Sequence, residues 1–175
     1  LPFTRELYIE KADFAETPPP KFFRMKPGGE VRLMGAYIVR CDEIVKNSDG
    51  VIKELHCTAD LETGCGTPSD GRKIKGTIHW VAAQTALKAE VRLYENLVDE
   101  EKGKLNADGT LNLNPNSLRV LKECYLEPGL KEAKPFESFQ FVRNGYFCVD
   151  CRDSEPGKPV FNRIVSLKSS FKLPK

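Results

Sequence analysis

Apolar and polar residues alternate in short runs along the chain, and turn formers separate the runs, which predicts many short β-strands. "RELYIEK" alternates, and "ETPPPK" then breaks the pattern, because three successive prolines cannot donate to a sheet ladder. Residues Glu16 to Lys21 therefore read as a stiff connector. "GGEVRLMGAYIVRCDEIVKN" sets Val31, Leu33 and Ile38 against Arg32 and Arg40, with Gly35 placed for a bulge. "NSDGVIKELHCTAD" carries the hairpin dipeptide Asp49-Gly50 between two β-rich runs. In "GRKIKGTIHWV", Ile74, Ile78 and Trp80 share one face while Lys73, Lys75 and His79 take the other. "KAEVRLYENL" and "SLRVLKECYLEP" alternate again. "FESFQFVRNGYFCVDCRD" predicts a hairpin with a two-residue Asn144-Gly145 turn and Arg143 on its shoulder. Residues Val98 to Asn116 lack a large apolar cluster and read as a mobile surface loop. Only "TPSDGR" and "PNSLRVLKECY" hint at short helices. The class expected is all-β, with small barrels that are closed or nearly so.

With 175 residues, 40% of them hydrophobic and 30% charged, the chain suffices for one substantial core or two small ones. No apolar run approaches the ~20 residues of a membrane-spanning helix, so a soluble globular protein is expected. The opening "LPFTRELYIEK" is no signal peptide, and its start in mid-strand without Met suggests a piece of a longer protein. The six cysteines, with no secretory signal, read as thiols of a reducing, cytoplasmic compartment.

The net charge is only +2, but it is unevenly spread. Lys21 to Arg40 holds five basic residues against one acidic, and Cys41 to Asp70 two basic against seven acidic. Such segregation gives a nearly neutral protein a basic face for a polyanion, or marks solvated strand edges guarded by lysine.

Catalysis finds little support. His56 and His79 are the only histidines, and no phosphate-binding glycine loop, nucleophile elbow or metalloprotease motif is present. His79, on the polar face of a basic strand, reads as a structural residue. A zinc site is the next candidate. Cys148 and Cys151 form a C-x-x-C, and Cys57 with Cys65 offers a second pair. However, the first pair follows a hydrophobic strand rather than a tight turn, and the second lacks ligand spacing.

Polyanion binding remains. Lys21, Arg24, Lys26, Arg32, Arg72, Lys73, Lys75, Arg143, Arg152 and Arg163 sit mostly at strand ends and loop shoulders, interleaved with aromatics as in "KFFR" and "FQFVRNGYF". Unstacked bases would find both a charge and a π-face there, which suits single-stranded or looped RNA. A standalone RNA-structural barrel protein and a zinc-stabilised interaction module stand as alternatives.

Five strings, "LPFTRELYIEKADF", "GGEVRLMGAYIVRCDEI", "GRKIKGTIHWV", "AEVRLYENL" and "FQFVRNGYFCVD" continued by "KPVFNRIVSLKSSF", occur in this order. Together they resemble the C-terminal anticodon-binding region of the glutaminyl-tRNA synthetase family. Related glutamyl-tRNA synthetases share the architecture, and "FNR" after "KPVF" favours the glutaminyl branch. The resemblance implies a parent ligase that joins glutamine to tRNA(Gln) using ATP and magnesium, with an N-terminal catalytic domain whose motifs are absent from these residues. This stretch by itself would then be non-catalytic, hold no cofactor, engage the anticodon loop and its own catalytic domain, and act as a monomer. The family fold implies two interleaved β-barrels. Residues 1–17 and 90–134 would belong to the proximal one, and residues 18–89 and 135–171 to the distal one.

Position by position, the resemblance assigns Arg24, with Lys21 nearby, to the last anticodon base. Arg32 falls to the first base, and Gln140 with Arg143 to the middle base. Met34 and Phe23 stand where some relatives carry arginine and lysine, which implies fewer contacts or stacking in their place. Arg72, Lys73 and Lys75 are expected to face RNA phosphates.

Overall fold

The computed structural model describes residues 2–68, 70–99 and 102–167, and it is built of strands. The only helical segments among the described residues are two 3-10 turns, Lys11–Asp13 and Pro128–Glu132. The chain divides into two units, Leu1–Gln84 and Thr85–Lys175.

The first unit contains β1 (Leu7–Ile9), β2 (Glu30–Leu33), β3 (Ile38–Lys46), β4 (Ile52–Asp60), β5 (Thr77–Ile78) and β6 (Trp80–Ala82). Four of them form a sheet in the order β4-β3-β2-β5, in which β2 and β5 are parallel, while β6 pairs antiparallel with β1. The second unit holds β7 (Leu87–Tyr94), β8 (Leu118–Leu126), β9 (Ser138–Phe141), β10 (Gly145–Val149) and β11 (Val160–Ser166), ordered β8-β7-β11-β10-β9. The chain is thus all-β, but the expected closed barrels do not form, since each sheet keeps two open edges. In the first unit the reason is local. β5 ends after two residues, and the chain leaves through His79 to pair with β1, so no strand returns to β4. The open edge β4 is largely exposed and carries Lys53, Glu54 and His56, charges that discourage edge-to-edge pairing.

The resemblance implied residues 1–17 with 90–134 and residues 18–89 with 135–171, and the ladders observed within each unit are these. The β1–β6 ladder joins residues 7–9 to 80–82, and β7 and β8 lie in one sheet with β9 to β11. Residues 168–171 of that expectation lie outside the described residues.

Two hydrophobic clusters follow from the alternation. In the first unit Met25, Val31, Leu33, Ile78, Trp80 and Ala82 are buried together, and the Trp80 indole donates to the Met34 carbonyl at 3.0 Å. Phe3 packs edge-on to both Tyr37 and Trp80. In the second, Ala89, Val91, Phe147, Val149 and Phe161 are buried, with Phe141 stacked on Phe147 at 4.4 Å between ring centroids. Every second residue from Arg72 to Trp80 is at least half-buried, while Lys73, Lys75 and Thr77 are exposed. The predicted faces are therefore realised, although residues 71–76 belong to no strand.

Three local expectations change. "SLRVLKECY" is strand β8, antiparallel to β7, because its alternation outweighs its helix formers once a partner is present. Gly35 makes no bulge. With φ +65° it turns the chain between β2 and β3, where the Ala36 N–H donates to the Leu33 carbonyl at 2.9 Å, and the register shift falls between Cys41 and Glu43 instead. The described residues of the 98–116 segment form a surface loop laced by its own bridges, Val98 with Leu113 and Leu105 with Leu111. The Asp49-Gly50 turn forms as predicted, with Gly50 at φ +78° and the Asn47 side chain accepting from the N–H groups of Asp49 and Val51.

Gly76 has a steric explanation. A Cβ there would overlap the carbonyl oxygen of Phe23, a backbone atom that cannot rotate away. Gly76→Ala should therefore destabilise by about 1–3 kcal/mol, the usual cost of forced overpacking. Chemical denaturation would read the loss, and Gly76→Ser should be no milder.

Candidate nucleic-acid interface

The segment that carries Lys21, Phe23 and Arg24 is positioned by its backbone. The Met25 N–H donates to the Asp13 carbonyl at 2.9 Å, and the Ala15 N–H donates to the Met25 carbonyl at 3.1 Å. A turn precedes it, in which the Phe22 N–H donates to the Pro19 carbonyl and Lys21 occupies the third position with φ +63°. Arg24 reaches the fully buried Asp13 carboxylate at 3.1 Å and donates to the Ala12 carbonyl at 3.0 Å, while 41% of its side chain stays exposed. It is thus both a counter-ion to the interior and a surface cation.

Arg32 projects from β2, and its two terminal nitrogens donate to the Gly64 and Gly66 carbonyls at 2.9 and 2.6 Å. This guanidinium holds the 61–66 turn in place. Arg72 is tied to three carboxylates, those of Glu30 at 3.1 Å, Asp70 at 2.6 Å and Asp60. A bond from the Thr63 hydroxyl, followed by the one from Arg72, pulls the Asp60 carboxyl down to about 2. The Arg72 backbone N–H and its guanidinium likewise hold Asp70 below the usual carboxylate range. Arg72 therefore organises the loop through three carboxylates.

Lys73 and Lys75 are exposed, and with Arg32, Arg72, Thr67 and Pro68 they line one cleft. The Lys75 ammonium lies 5.5 Å from the centre of the half-exposed Phe23 ring, a cation–π contact. Lys21, Lys26, Lys73 and Lys75 show no ion pair among the described residues.

The second unit places Gln140 on the exposed side of β9, opposite Tyr146 of β10. Tyr146 in turn faces Val165 of β11, and both are about half exposed. Directly opposed residues share a face, so Gln140 lies in a row with an accessible aromatic ring. The sequence predicts a two-residue turn at Asn144-Gly145, which does not give this register. The turn instead comprises Val142, Arg143 and Asn144: the Asn144 N–H donates to the Phe141 carbonyl at 2.9 Å, and Arg143 adopts φ +71°. The alternation of exposed Gln140 with Phe139 and Phe141 was the signal available for the face, but the register was not.

Cys148 lies on β10 with Cys151 just beyond it, while Cys57 faces Cys41 across β3 and β4. Among the described residues, no three His, Cys, Asp or Glu side chains converge as metal ligands would. None of their helices is long and apolar enough to cross a membrane.

Two models of one family, described as tRNA synthetases class I (E and Q), anti-codon binding domain, match residues 1–60 and 77–150. The chain belongs to this family. The anticodon-binding domain of the class I synthetases thus accounts for both units. Glutamine–tRNA ligase of Clostridium kluyveri is 50% identical over 99% of the chain and 32% of that protein. The enzymes of the same name from Clostridium perfringens and Pseudomonas putida are 52% and 50% identical over 98% of the chain. The chain spans about a third of the length of these curated relatives.

The depressed Asp60 carboxyl fixes a direction for pH. Its contribution to stability is complete above its ordinary value near 3.8 and is lost as pH falls toward about 2. Amide exchange over residues 61–68 should accelerate across that window, and Asp60→Asn should produce the same loosening already at neutral pH.

Proposed function

We propose that this chain recognises the anticodon loop of tRNA(Gln) within a ligase that joins glutamine to that tRNA. The observation that carries this reading is the agreement of nearly the whole chain, at about half identity, with glutamine–tRNA ligases. ATP and magnesium are assigned to the catalytic domain of the whole protein, which we place N-terminal to these residues, in a monomeric cytoplasmic enzyme.

Arg24, with Lys21 beside it, reads the last anticodon base, Arg32 sits near the first, and Gln140 with Arg143 addresses the middle base. Guanidinium and amide groups offer the paired donors and acceptors that base edges need. The exposed part of Arg24 supports its role. The hydrogen bonds of Arg32 to Gly64 and Gly66 make it equally a support for the loop beside the cleft. Lys73 and Lys75 take phosphates, and Arg72 positions the loop that presents them. Phe23, in cation–π contact with Lys75, supplies an aromatic face where some relatives are expected to supply a charge.

In the whole ligase, Gln140→Ala should cost about 1–3 kcal/mol of binding, concentrated on tRNA with the correct middle base. Equal losses on all anticodon variants would refute a base-reading role. Replacing Lys73 and Lys75 together with glutamine should weaken every tRNA alike and flatten the salt dependence by about one unit per lysine. A change of anticodon preference in that double variant would rule out phosphate contact. Arg24→Ala will unsettle Asp13 as well, so its loss of binding should be read beside Arg24→Lys, which keeps the charge near Asp13 but loses the forked donor.

A further inference from the structure

Three non-glycine residues among those described adopt a left-handed backbone: Lys21, Arg143 and Phe136, at φ +63°, +71° and +69°. All three occupy the third position of a four-residue turn. The Phe22 N–H donates to the Pro19 carbonyl, the Asn144 N–H to the Phe141 carbonyl, and the Glu137 N–H to the Lys134 carbonyl at 3.0 Å. In turns of this kind a positive φ at that place usually selects glycine. A side chain there strains the backbone, and such strain persists where the surroundings over-determine it and function uses it. Two of the three, Lys21 and Arg143, already belong to the proposed interface. Phe136 has no role in it so far.

Phe136 combines two unfavourable features. Its backbone is left-handed, and the residue is 76% exposed, the most exposed large hydrophobic residue described. Packing within the described residues therefore does not explain a phenylalanine here, whereas the turn itself is firmly held. The Phe136 N–H donates to the Val149 carbonyl at 3.1 Å, the Val149 N–H to the Glu137 carbonyl at 2.9 Å, and the Lys134 N–H to the Glu137 side chain at 2.9 Å. The ring is thus presented from a rigid mount on β10. It also lies in the turn that leads into β9, two residues before the strand that carries Gln140. Positions 136, 138, 140 and 142 are exposed, while Phe139 and Phe141 pack against the core of the second unit. Four residues of extended chain span at most roughly 13 Å, within reach of neighbouring unstacked nucleotides.

We infer that Phe136 is a stacking platform for an unpaired base of the bound RNA loop, next to the base that Gln140 and Arg143 address. The inference rests on the RNA-binding reading above and extends it to a residue which that reading leaves out. A flat apolar ring suits a nucleobase because every base offers a π-face, and Lys134, two residues before it, is an exposed cation beside the path of the backbone.

Glycine supplies the test, because it removes the ring and relieves the strain in one step. The whole ligase and its Phe136→Gly and Phe136→Trp variants would be compared by thermal unfolding, and by fluorescence anisotropy with a labelled RNA hairpin bearing the glutamine anticodon in its loop. Phe136→Gly should leave the unfolding midpoint unchanged or higher, yet raise the Kd about 5- to 100-fold, the range expected for one lost base–aromatic stack. Phe136→Trp should keep the affinity, and its indole emission should change on binding. Unchanged affinity of Phe136→Gly on a hairpin that the wild type binds would overturn this inference alone. So would a lowered midpoint, which would mean that the ring packs within the protein. A wild-type ligase that ignored the hairpin would sink the RNA-binding reading and this inference with it.

Discussion

The first unit depends on one close approach, in which the backbone at Gly76 lies against the backbone at Phe23 with no room for a Cβ. This contact brings two distant parts of the chain together. On one side stand Phe23, Arg24 and Met25, tied by hydrogen bonds to Asp13 and Ala15. On the other begins the stretch that pairs first with β2 and then, past His79, with β1. Because the stretch serves two ladders in succession, it fastens the N-terminal strand, the central sheet and the Arg24 segment at once. Trp80 and Ile78 make that fastening apolar and buried.

Charge is distributed along the same lines. The acidic excess between Cys41 and Asp70 is partly consumed inside the unit, where Asp60 and Asp70 converge on Arg72 and Thr58 donates to Asp42. Arginine and lysine consequently play different parts. Arg24, Arg32 and Arg72 each engage carbonyls or carboxylates of the protein itself, whereas Lys21, Lys26, Lys73 and Lys75 show no ion pair among the described residues. A planar fork can serve two partners from one rigid position, while a flexible ammonium is held less firmly.

Much of this was legible in the sequence because β-structure writes itself as period-two alternation. The Ile78 and Trp80 face, the Asp49-Gly50 turn and the Phe139 and Phe141 side of β9 follow from that period alone. Long-range pairing did not, since it depends on contacts that no local window contains. The break at His79, the parallel pairing of β2 with β5 and the resulting open edges belong to this class. The turn at Arg143 was misplaced for a related reason. Asn144-Gly145 has the local preference for a tight turn, but the pairing of Gly145 with Phe141 places Gly145 in the strand and moves the left-handed residue to Arg143. Ion-pair partners were equally invisible, so Arg72 looked like a spare cation although three carboxylates, from separate segments, surround it.

The division between engaged arginines and exposed lysines also has a kinetic meaning. Arg24 and Arg72, paired with carboxylates at short range, exert little pull on a distant polyanion, whereas Lys21, Lys26, Lys73 and Lys75 project fields that extend about a Debye length, roughly 8 Å, into physiological salt. Encounter with a nucleic acid would then be accelerated mainly by residues that do not discriminate. Residence time would be set by those held firmly enough to do so, because differences among related complexes usually lie in the rate of departure. A surface organised in this way can sample many wrong partners quickly and release them quickly.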